Sequence, residues 1–438
     1  MEKYYHPIKF VEERCQGRMK CMRVCPTQAI RVKNSKARLI EDLCVDCGEC
    51  INVCPSGAIV PLTDPFARSM DFKYKVALPS PVLFSQFRPD VDPRKVVIGL
   101  KRIGFDYVCD VSRACQEVTI ALEEFLSTYR GRLPLISSFC PTVVRLIQVK
   151  YPDLTELVVP IDVPREIAAR DFKHELSKKL GVDMQEIGVI YITTCPAKIV
   201  SIKQPAEKER SWIDGAISLV DVFAPLFSAV SDVKDEDVTE EEVGDFTFDA
   251  GWSMLGEMTR LLGSERSIAV SGMSDVTKVL DDIENSKLRD IDFVELSSCL
   301  GGCIGGSLVV ENMYVARNSL LKLLKRFRGS TTVNREEVLD RYREGYYFLE
   351  RKLAPRPLRP LDPDVAKAIE KKKQKDSIYN SLPKIDCGCC GAPTCLAFAE
   401  DIVRGQASLD DCIYVGGVRR GQGGQKDQER KDISGDHR

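Results

Sequence analysis

Glu295-Leu-Ser-Ser-Cys299-Leu-Gly-Gly-Cys303-Ile-Gly-Gly306 sets two cysteines four residues apart among four glycines. Glycine permits positive φ and close backbone approach, and thiolates favour iron–sulfur, zinc or cuprous centres. The stretch therefore reads as a loop pressed against a bulky, sulfur-binding group. Two cysteines rarely complete such a site. Ser138-Phe-Cys140-Pro141 and Thr194-Cys195-Pro-Ala-Lys198 offer the missing ligands. If Cys140, Cys195, Cys299 and Cys303 converge, the middle of the chain holds a four-thiolate metal centre.

Outward from that loop, residues from about 74 to 352 alternate short apolar runs with helical patterns. VVIGL (96–100), DYVCDV (106–111), GVIYITT (188–194) and DFVEL (292–296) are rich in β-branched residues and read as strands. QEVTIALEEFLSTYRG (116–131), PTVVRLIQVKYP (141–152) and SDVTKVLDDIENSKL (274–288) read as the helices between them. Such alternation implies parallel sheets with helical cover. Cys195 directly follows one strand and Cys299 another, at the carboxyl ends where α/β folds place their sites.

The chain has 438 residues, enough for about three domains. Its hydrophobic content of 44% and charged content of 29% are those of an ordinary globular protein. Lys and Arg number 63 against 65 Asp and Glu, for a net charge of −2, so nothing calls for nucleic acid or an anionic membrane. No run approaches the roughly 20 apolar residues that span a bilayer. The N-terminus lacks the apolar core of a signal peptide. These features predict a cytoplasmic protein without membrane insertion. Cysteine is the outlier at 18 residues, which in a chain that is not exported points to metal or redox chemistry. With 3 histidines, imidazole-ligated zinc or iron is disfavoured, and His6 and His174 read as structural.

Cys44-Val-Asp-Cys47-Gly-Glu-Cys50-Ile-Asn-Val-Cys54-Pro55 is the run that binds paired four-iron clusters, its fourth cysteine serving the other cluster. Upstream, Cys15-Gln-Gly-Arg18-Met-Lys-Cys21-Met-Arg-Val-Cys25-Pro26 has Arg18 where a cysteine is expected. Crossed ligation then gives cluster II the complete set Cys25, Cys44, Cys47 and Cys50. Cluster I keeps only Cys15, Cys21 and Cys54. It is a [3Fe–4S] cluster, a [4Fe–4S] cluster with a non-cysteine ligand, or lost; Arg18 cannot shed its proton to serve.

Near the C-terminus, Ala354–Pro363 is a proline-punctuated linker, and the lysine-rich helix after it reads as a solvated connector. Cys387, Cys390, Cys395 and Cys412 then follow the spacing Cys-x2-Cys-x4-Cys-x16-Cys, with Cys389 spare. This resembles the small [4Fe–4S] module of electron-transport and corrinoid proteins, with structural zinc as the competing reading. The glycine-rich, charged residues from 416 onward predict disorder.

A cysteine–proline loop, a Cys-x-x-Lys loop and a Cys-x-x-x-Cys-x-Gly-Gly loop, in that order behind a ferredoxin-like block, resemble the catalytic domain of the [FeFe]-hydrogenase large subunit. That resemblance implies an H-cluster, a four-iron cube bridged to a di-iron unit bearing CO, cyanide and a dithiolate. By motif position Cys140, Cys195 and Cys299 would hold the cube and Cys303 would bridge. Lys198 matches the lysine that donates to a cyanide. The departures are also informative. Phe139 stands where the family's catalysts carry a proton-relaying cysteine, and Ser297, Ser298, Leu300 and Ser307 replace other motif residues. Such divergence resembles the sensory or regulatory branch. Glu123 and Glu124 resemble a glutamate-bearing helix on the family's proton path, one residue out of register, and read equally as solvated charges. Cys109 and Cys115 read as buried, inert thiols, and Asp110, Arg113 and Glu117 as surface or lobe-packing charges.

The expected architecture is α/β. A ferredoxin-like domain (1–70) precedes a two-lobed hydrogenase-like domain with parallel sheets (71–352). A linker and charged helix (353–382), a small helical [4Fe–4S] module (383–415) and a tail (416–438) follow. The expected function is that of an anaerobic iron–sulfur oxidoreductase of slow turnover, interconverting H2 with protons and electrons or sensing H2. It would hold two to four [4Fe–4S] clusters, counting the H-cluster cube, and exchange electrons with a ferredoxin-like partner. The alternative is an electron-transfer or cluster-carrier protein without the di-iron unit.

Overall fold

Ile187-Gly-Val-Ile-Tyr-Ile-Thr193 shows no polar alternation, and a strand of this kind has to be covered on both faces. In the computed structural model, which describes residues 4–67, 71–244, 246–327, 333–356 and 360–416, every residue of this strand is buried. It belongs to a set of parallel strands: β1 (Tyr74–Pro79), β2 (Tyr107–Val108), β3 (Leu135–Ile136), β4 (Ile187–Thr193), β5 (Gly215–Ser218), β6 (Ser267–Ser271) and β7 (Phe293–Ser297). One sheet runs β2-β1-β4-β5, with Val76 opposite Tyr107 and Val189, and Ile190 opposite Gly215. The other runs β6-β7-β3, with Val294 opposite Ile268 and Ile136.

The covering helices include α1 (Pro93–Arg102), α2 (Ser112–Thr128), α3 (Pro141–Lys150), α4 (Pro164–Leu180), α5 (Pro196–Lys203), α6 (Met273–Glu284) and α7 (Met313–Phe327). Leu83, Val97, Leu100, Ile190, Ile217 and Leu320 form the core of the four-stranded lobe. Ile136, Val143, Leu146, Leu280, Val294 and Leu296 form that of the three-stranded lobe. Fully burying one such side chain is worth about 1.5–3 kcal/mol, so each lobe has a core able to fix its loops. Among the described residues no helix is long and apolar enough to cross a membrane.

Residues 96–100, expected as a strand, lie inside α1. The start signal is decisive: Asp92 accepts a hydrogen bond from the Arg94 amide and Pro93 takes the first helical position. Tertiary cover then buries Val96, Val97, Ile98 and Leu100 on a helix. A β-branched run is a weak strand signal when a cap precedes it.

The chain divides into two bodies, the first comprising Met1–Lys9, Val45–Gly48 and Pro61–Arg356, the second Phe10–Cys44, Glu49–Val60 and Pro357–Arg438. The two sheets above belong to the first. The second contains an antiparallel hairpin, Ile30–Lys33 with Lys36–Leu39. Its turn residues Asn34 and Ser35 both have positive φ, 49° and 58°, as a two-residue hairpin with right-twisted strands requires. The same body contains the helices Val365–Ser381 and Cys395–Val403 and a small core around Phe398 and Leu382. The lysine-rich helix Val365–Ser381, expected as a solvated connector, has no fully buried residue, but its Ile378 and Tyr379 pack against that core. Residues 357–359 of the linker and the tail from 417 lie outside the described residues.

Candidate metal centre

The middle cysteines sit on three loops, each leaving the carboxyl end of a parallel strand: Cys140 after β3, Cys195 after β4, Cys299 after β7. Cys140 and Cys195 are also the N-cap residues of α3 and α5, each followed by a proline. The positive end of a helix favours an ionised sulfur. Two glycines let the third loop close. Gly302 has φ of +97°, and a Cβ there would lie 2.6 Å from the Leu255 amide nitrogen. A Cβ on Gly306 would lie 2.4 Å from the Thr194 carbonyl oxygen, so the third loop rests directly on the second.

The sulfurs of Cys140, Cys195 and Cys303 lie within electrostatic reach of Cys299, and those of Cys140 and Cys303 within reach of Cys195. Burial raises the Cys299 thiol well above its ordinary value, and Cys195, Cys140 and Cys303 raise it further. Burial also lifts Cys195 to about 11, Lys198 opposing and Cys303 and Cys140 adding. Ser298 Oγ bridges two of the sulfurs, accepting from Cys140 Sγ at 3.6 Å and lying 3.6 Å from Cys299 Sγ. Buried sulfurs that resist one another's ionisation become ligands once cations supply the compensating charge. This donor set fits cluster iron.

Cys303 is distinguished by its neighbour. The ammonium of Lys198, 3% exposed, donates to Cys303 Sγ at 3.2 Å and to the Tyr191 hydroxyl at 3.3 Å. Burial acts against that charge, but Cys303, Tyr191 and Cys195 outweigh it and hold Lys198 protonated. Cys303 and Lys198 wall a cavity of about 400 Å³, counting its open mouth. Phe139 and Trp252 close one side with rings edge to face, centroids 5.6 Å apart. Ser80 Oγ, Trp252 Nε1 and Arg165 Nε, all on the wall, are buried and have no hydrogen-bond partner among the described residues. Leaving a buried donor unpaired costs about 1–3 kcal/mol. The cavity therefore suits a group rich in acceptors, as a di-iron unit with CO and cyanide ligands is.

The second body holds two further cysteine sets. Cys15, Cys21 and Cys54 line a cavity of about 360 Å³. Burial raises the Cys21 thiol to about 11, with Cys54 and Cys15 adding. Against its burial, hydrogen bonds from the Ser56 hydroxyl and the Ala58 amide hold Cys54 below its ordinary value. The amides of Ala29 and Ala58 donate to Cys25 Sγ and Cys54 Sγ, each at 3.2 Å, so both halves treat the sulfur before their proline alike. The Arg18 loop retains positive φ at Gly17 and Met19 (64° and 59°), matching Asp46 and Gly48 (54° and 81°) around Cys47. The cluster-binding backbone is kept although the thiol is missing, which fits a three-cysteine cluster. Of the complete set, Cys44 and Cys50 are buried and Cys25 half-buried in the second body. Cys47 belongs to the first body, on a loop where a Cβ at Gly48 would lie 2.1 Å from Ser307 Oγ. Cys387, Cys390, Cys395 and Cys412 surround a cavity of about 320 Å³. Cys389 also lines it but is exposed.

Other residues singled out in the sequence fall as follows. Cys109 is buried with its thiol on the Ala168 carbonyl. Cys115 is buried too, but on the wall of the Cys303 cavity, where burial holds its proton on. Glu117, 1% exposed, accepts from Arg341 and Tyr347 and ties the lobe together. Glu123 pairs with Arg335 at 2.8 Å. Ser80, Arg165, Tyr191 and Trp252 carried no sequence signal. They come from separate segments that only the fold brings together.

Residues 73–250 and 226–307 match the family described as iron only hydrogenase large subunit, C-terminal domain. Residues 14–58 match a 4Fe-4S dicluster domain and 382–414 an Fe-S cluster family. Iron hydrogenase 1 of Clostridium pasteurianum is 22% identical over 295 residues, which are 56% of this chain and 50% of that protein. The chain thus spans half the length of that relative. The cytosolic Fe-S cluster assembly factor oxy-4 of Caenorhabditis elegans is 23% identical over 62% of this chain and 70% of its own. An apo [FeFe]-hydrogenase HydA1 from Chlamydomonas reinhardtii superposes with a TM-score of 0.50 at 16% identity, covering 67% of this chain and 96% of that one.

Proposed function

Because the chain belongs to the iron only hydrogenase large-subunit family, C-terminal domain, we propose that it is an iron–sulfur oxidoreductase built for H2 ⇌ 2H⁺ + 2e⁻, of low turnover and suited to sensing H2. The carrying observation is the set of buried Cys299 and half-buried Cys140, Cys195 and Cys303, with Lys198 on Cys303 beside a cavity of donors without a partner among the described residues. Cys140, Cys195 and Cys299 would hold a cube, and Cys303 would join it to a di-iron unit. When bound, that unit supplies the metal at which the H–H bond is made or broken. Lys198 keeps a positive charge in a dry pocket, where an anionic ligand is held most strongly. Phe139 and Trp252 exclude water. Phe139 also has no proton to give, so the protein's share of proton delivery is reduced. Cys115 Sγ–H is the remaining thiol on the wall. Electrons would reach the cube through the Cys47 loop, whose Gly48 lies against Ser307 and Pro196. Cys25, Cys44, Cys47 and Cys50 would hold cluster II, which would supply one-electron exchange with a carrier protein.

The test is infrared spectroscopy after maturation with the di-iron unit. CO and cyanide bands are expected in the wild type and should be absent in Cys303→Ala. A second reading is favoured by the similarity to a cytosolic Fe-S cluster assembly factor across 70% of that protein: a cluster-carrying protein without the di-iron unit. Full occupancy of the four-iron sites, with no CO or cyanide band after maturation, would select it.

A further inference from the structure

The C-terminal four-cysteine module is built against the three-cysteine site, not held apart from it on its linker. Both lie in the second body. Val32 lines the cavity of Cys15, Cys21 and Cys54, and its amide donates to the Gly391 carbonyl at 2.9 Å. Gly391 directly follows Cys390. It has φ of +85°, and a Cβ there would lie 2.1 Å from the Val32 carbonyl oxygen, so only glycine allows the approach. Met22, next to Cys21 and 1% exposed, places its terminal methyl 3.0 Å from where a Cβ on Gly388 would stand. Gly388 in turn follows Cys387. Met22 and the Val32–Gly391 hydrogen bond thus lie between the two cysteine loops.

The contact is fixed by polar groups that leave little freedom. Arg31 forks onto Asp401, Nε to Oδ2 at 2.5 Å and Nη2 to Oδ1 at 3.0 Å, with both side chains largely buried. Thr394 Oγ1 donates to Gln28 Oε1 at 3.1 Å, and Lys33 Nζ to the Gln406 carbonyl at 2.6 Å. A buried ion pair is weak evidence of added stability, its best-attested use being to specify one register. Here the register brings two cysteine sets together.

We propose that the C-terminal cluster, held by Cys387, Cys390, Cys395 and Cys412, and the cluster held by Cys15, Cys21 and Cys54 form a directly coupled redox pair, joined through Met22 and the Val32–Gly391 hydrogen bond. In the step one electron leaves the reduced C-terminal cluster and arrives on the oxidised three-cysteine cluster. No bond is made or broken and no proton moves. A low-potential one-electron donor re-reduces the C-terminal cluster. Transfer between clusters falls steeply with distance, and a short hydrogen-bonded path is the favourable medium. The incomplete cluster is then a relay that the missing thiol tunes, and the C-terminal module is a terminus of the electron path. The inference rests on the reading that both cysteine sets hold clusters.

Electron paramagnetic resonance of the full chain, partly reduced with dithionite, tests it by microwave power saturation of the C-terminal cluster's signal. In the wild type a neighbouring paramagnet should speed its relaxation. Cys21→Ala, which removes the three-cysteine cluster, should make the signal saturate at several-fold lower power. Arg31→Ala, with both clusters retained by iron and sulfide count, should shift saturation the same way, and it decides the matter if Cys21→Ala does not fold. Unchanged saturation in these variants, with the C-terminal signal present, overturns the coupling. A wild type whose iron count and spectrum lack the C-terminal cluster overturns the cluster reading and the coupling with it.

Discussion

Lys198 and Phe139 face the same cavity and predict opposite mutational outcomes. Lys198→Met keeps the length of the side chain but removes the charge beside Cys303. Outer partners of metal ligands are worth about 10–100-fold in metal affinity. The expected result is a comparable loss of CO and cyanide band intensity per protein after maturation, with the four-iron clusters of the second body retained. Phe139→Cys places a thiol on the cavity wall where an aromatic ring now lies over Lys198 at 5.6 Å. A positioned proton donor contributes roughly 10²–10⁴-fold, so hydrogen evolution by the loaded variant should rise by about 10²-fold. An unchanged rate with the di-iron bands present would sink this account of the missing relay. The motif residues themselves were legible in sequence because ligand spacing is a property of one loop. Arg165 and Trp252 were not, because an arginine or tryptophan in a helical or turn segment announces nothing until a cavity forms beside it.

At the scale of elements, the start of α2 carries a pH signature. Asp110 accepts from the Ser112 amide at 2.9 Å and the Thr247 amide at 3.2 Å. Burial nonetheless raises its carboxyl to about 6, outweighing those hydrogen bonds. A carboxyl raised on folding binds a proton more readily in the native state, so its contribution is full below about 4 and is lost as pH rises through about 6. In the cluster-free protein, Asp110→Asn should flatten that part of the stability curve, so that the variant loses less stability between pH 4 and pH 7 than wild type does. Denaturant unfolding at pH 4.0 and pH 7.0 in both proteins measures the difference, and parallel curves would refute it. The hairpin Ile30–Lys33 with Lys36–Leu39 and the helix Cys395–Val403 are joined by the Arg31–Asp401 fork. Removing one partner of a buried pair costs about 3–5 kcal/mol. Arg31→Ala should therefore lower the denaturation midpoint of the second body, with residues 383–415 becoming sensitive to protease. At this scale sequence patterning placed most helices correctly. It misread 96–100, where the Asp92–Pro93 start signal overrode β-branched composition.

For the whole molecule, the two bodies differ in what holds them. The first has two apolar cores around parallel sheets, whereas the second has a small core around Phe398 and many of its cysteines. Metal binding in such a small body is part of its folding free energy. Chelation of iron under reducing conditions should lower or abolish the second body's melting transition and shift that of the first by much less. A single transition moving as one in calorimetry would contradict this. By itself the sequence determined which cysteines belong together within each loop, the gap at Arg18, the alternation of strands and helices, and the family resemblance. These are encoded over a few residues by covalent spacing and periodicity, which need no tertiary contact to be read. Only the tertiary structure decided that Ser80, Arg165 and Trp252 line the Cys303 cavity. It also decided that Cys115 faces that cavity and that the C-terminal module meets the Val32 strand. These depend on the apolar cores bringing distant segments together, and such contacts are set by the packing of the whole body, not by local sequence.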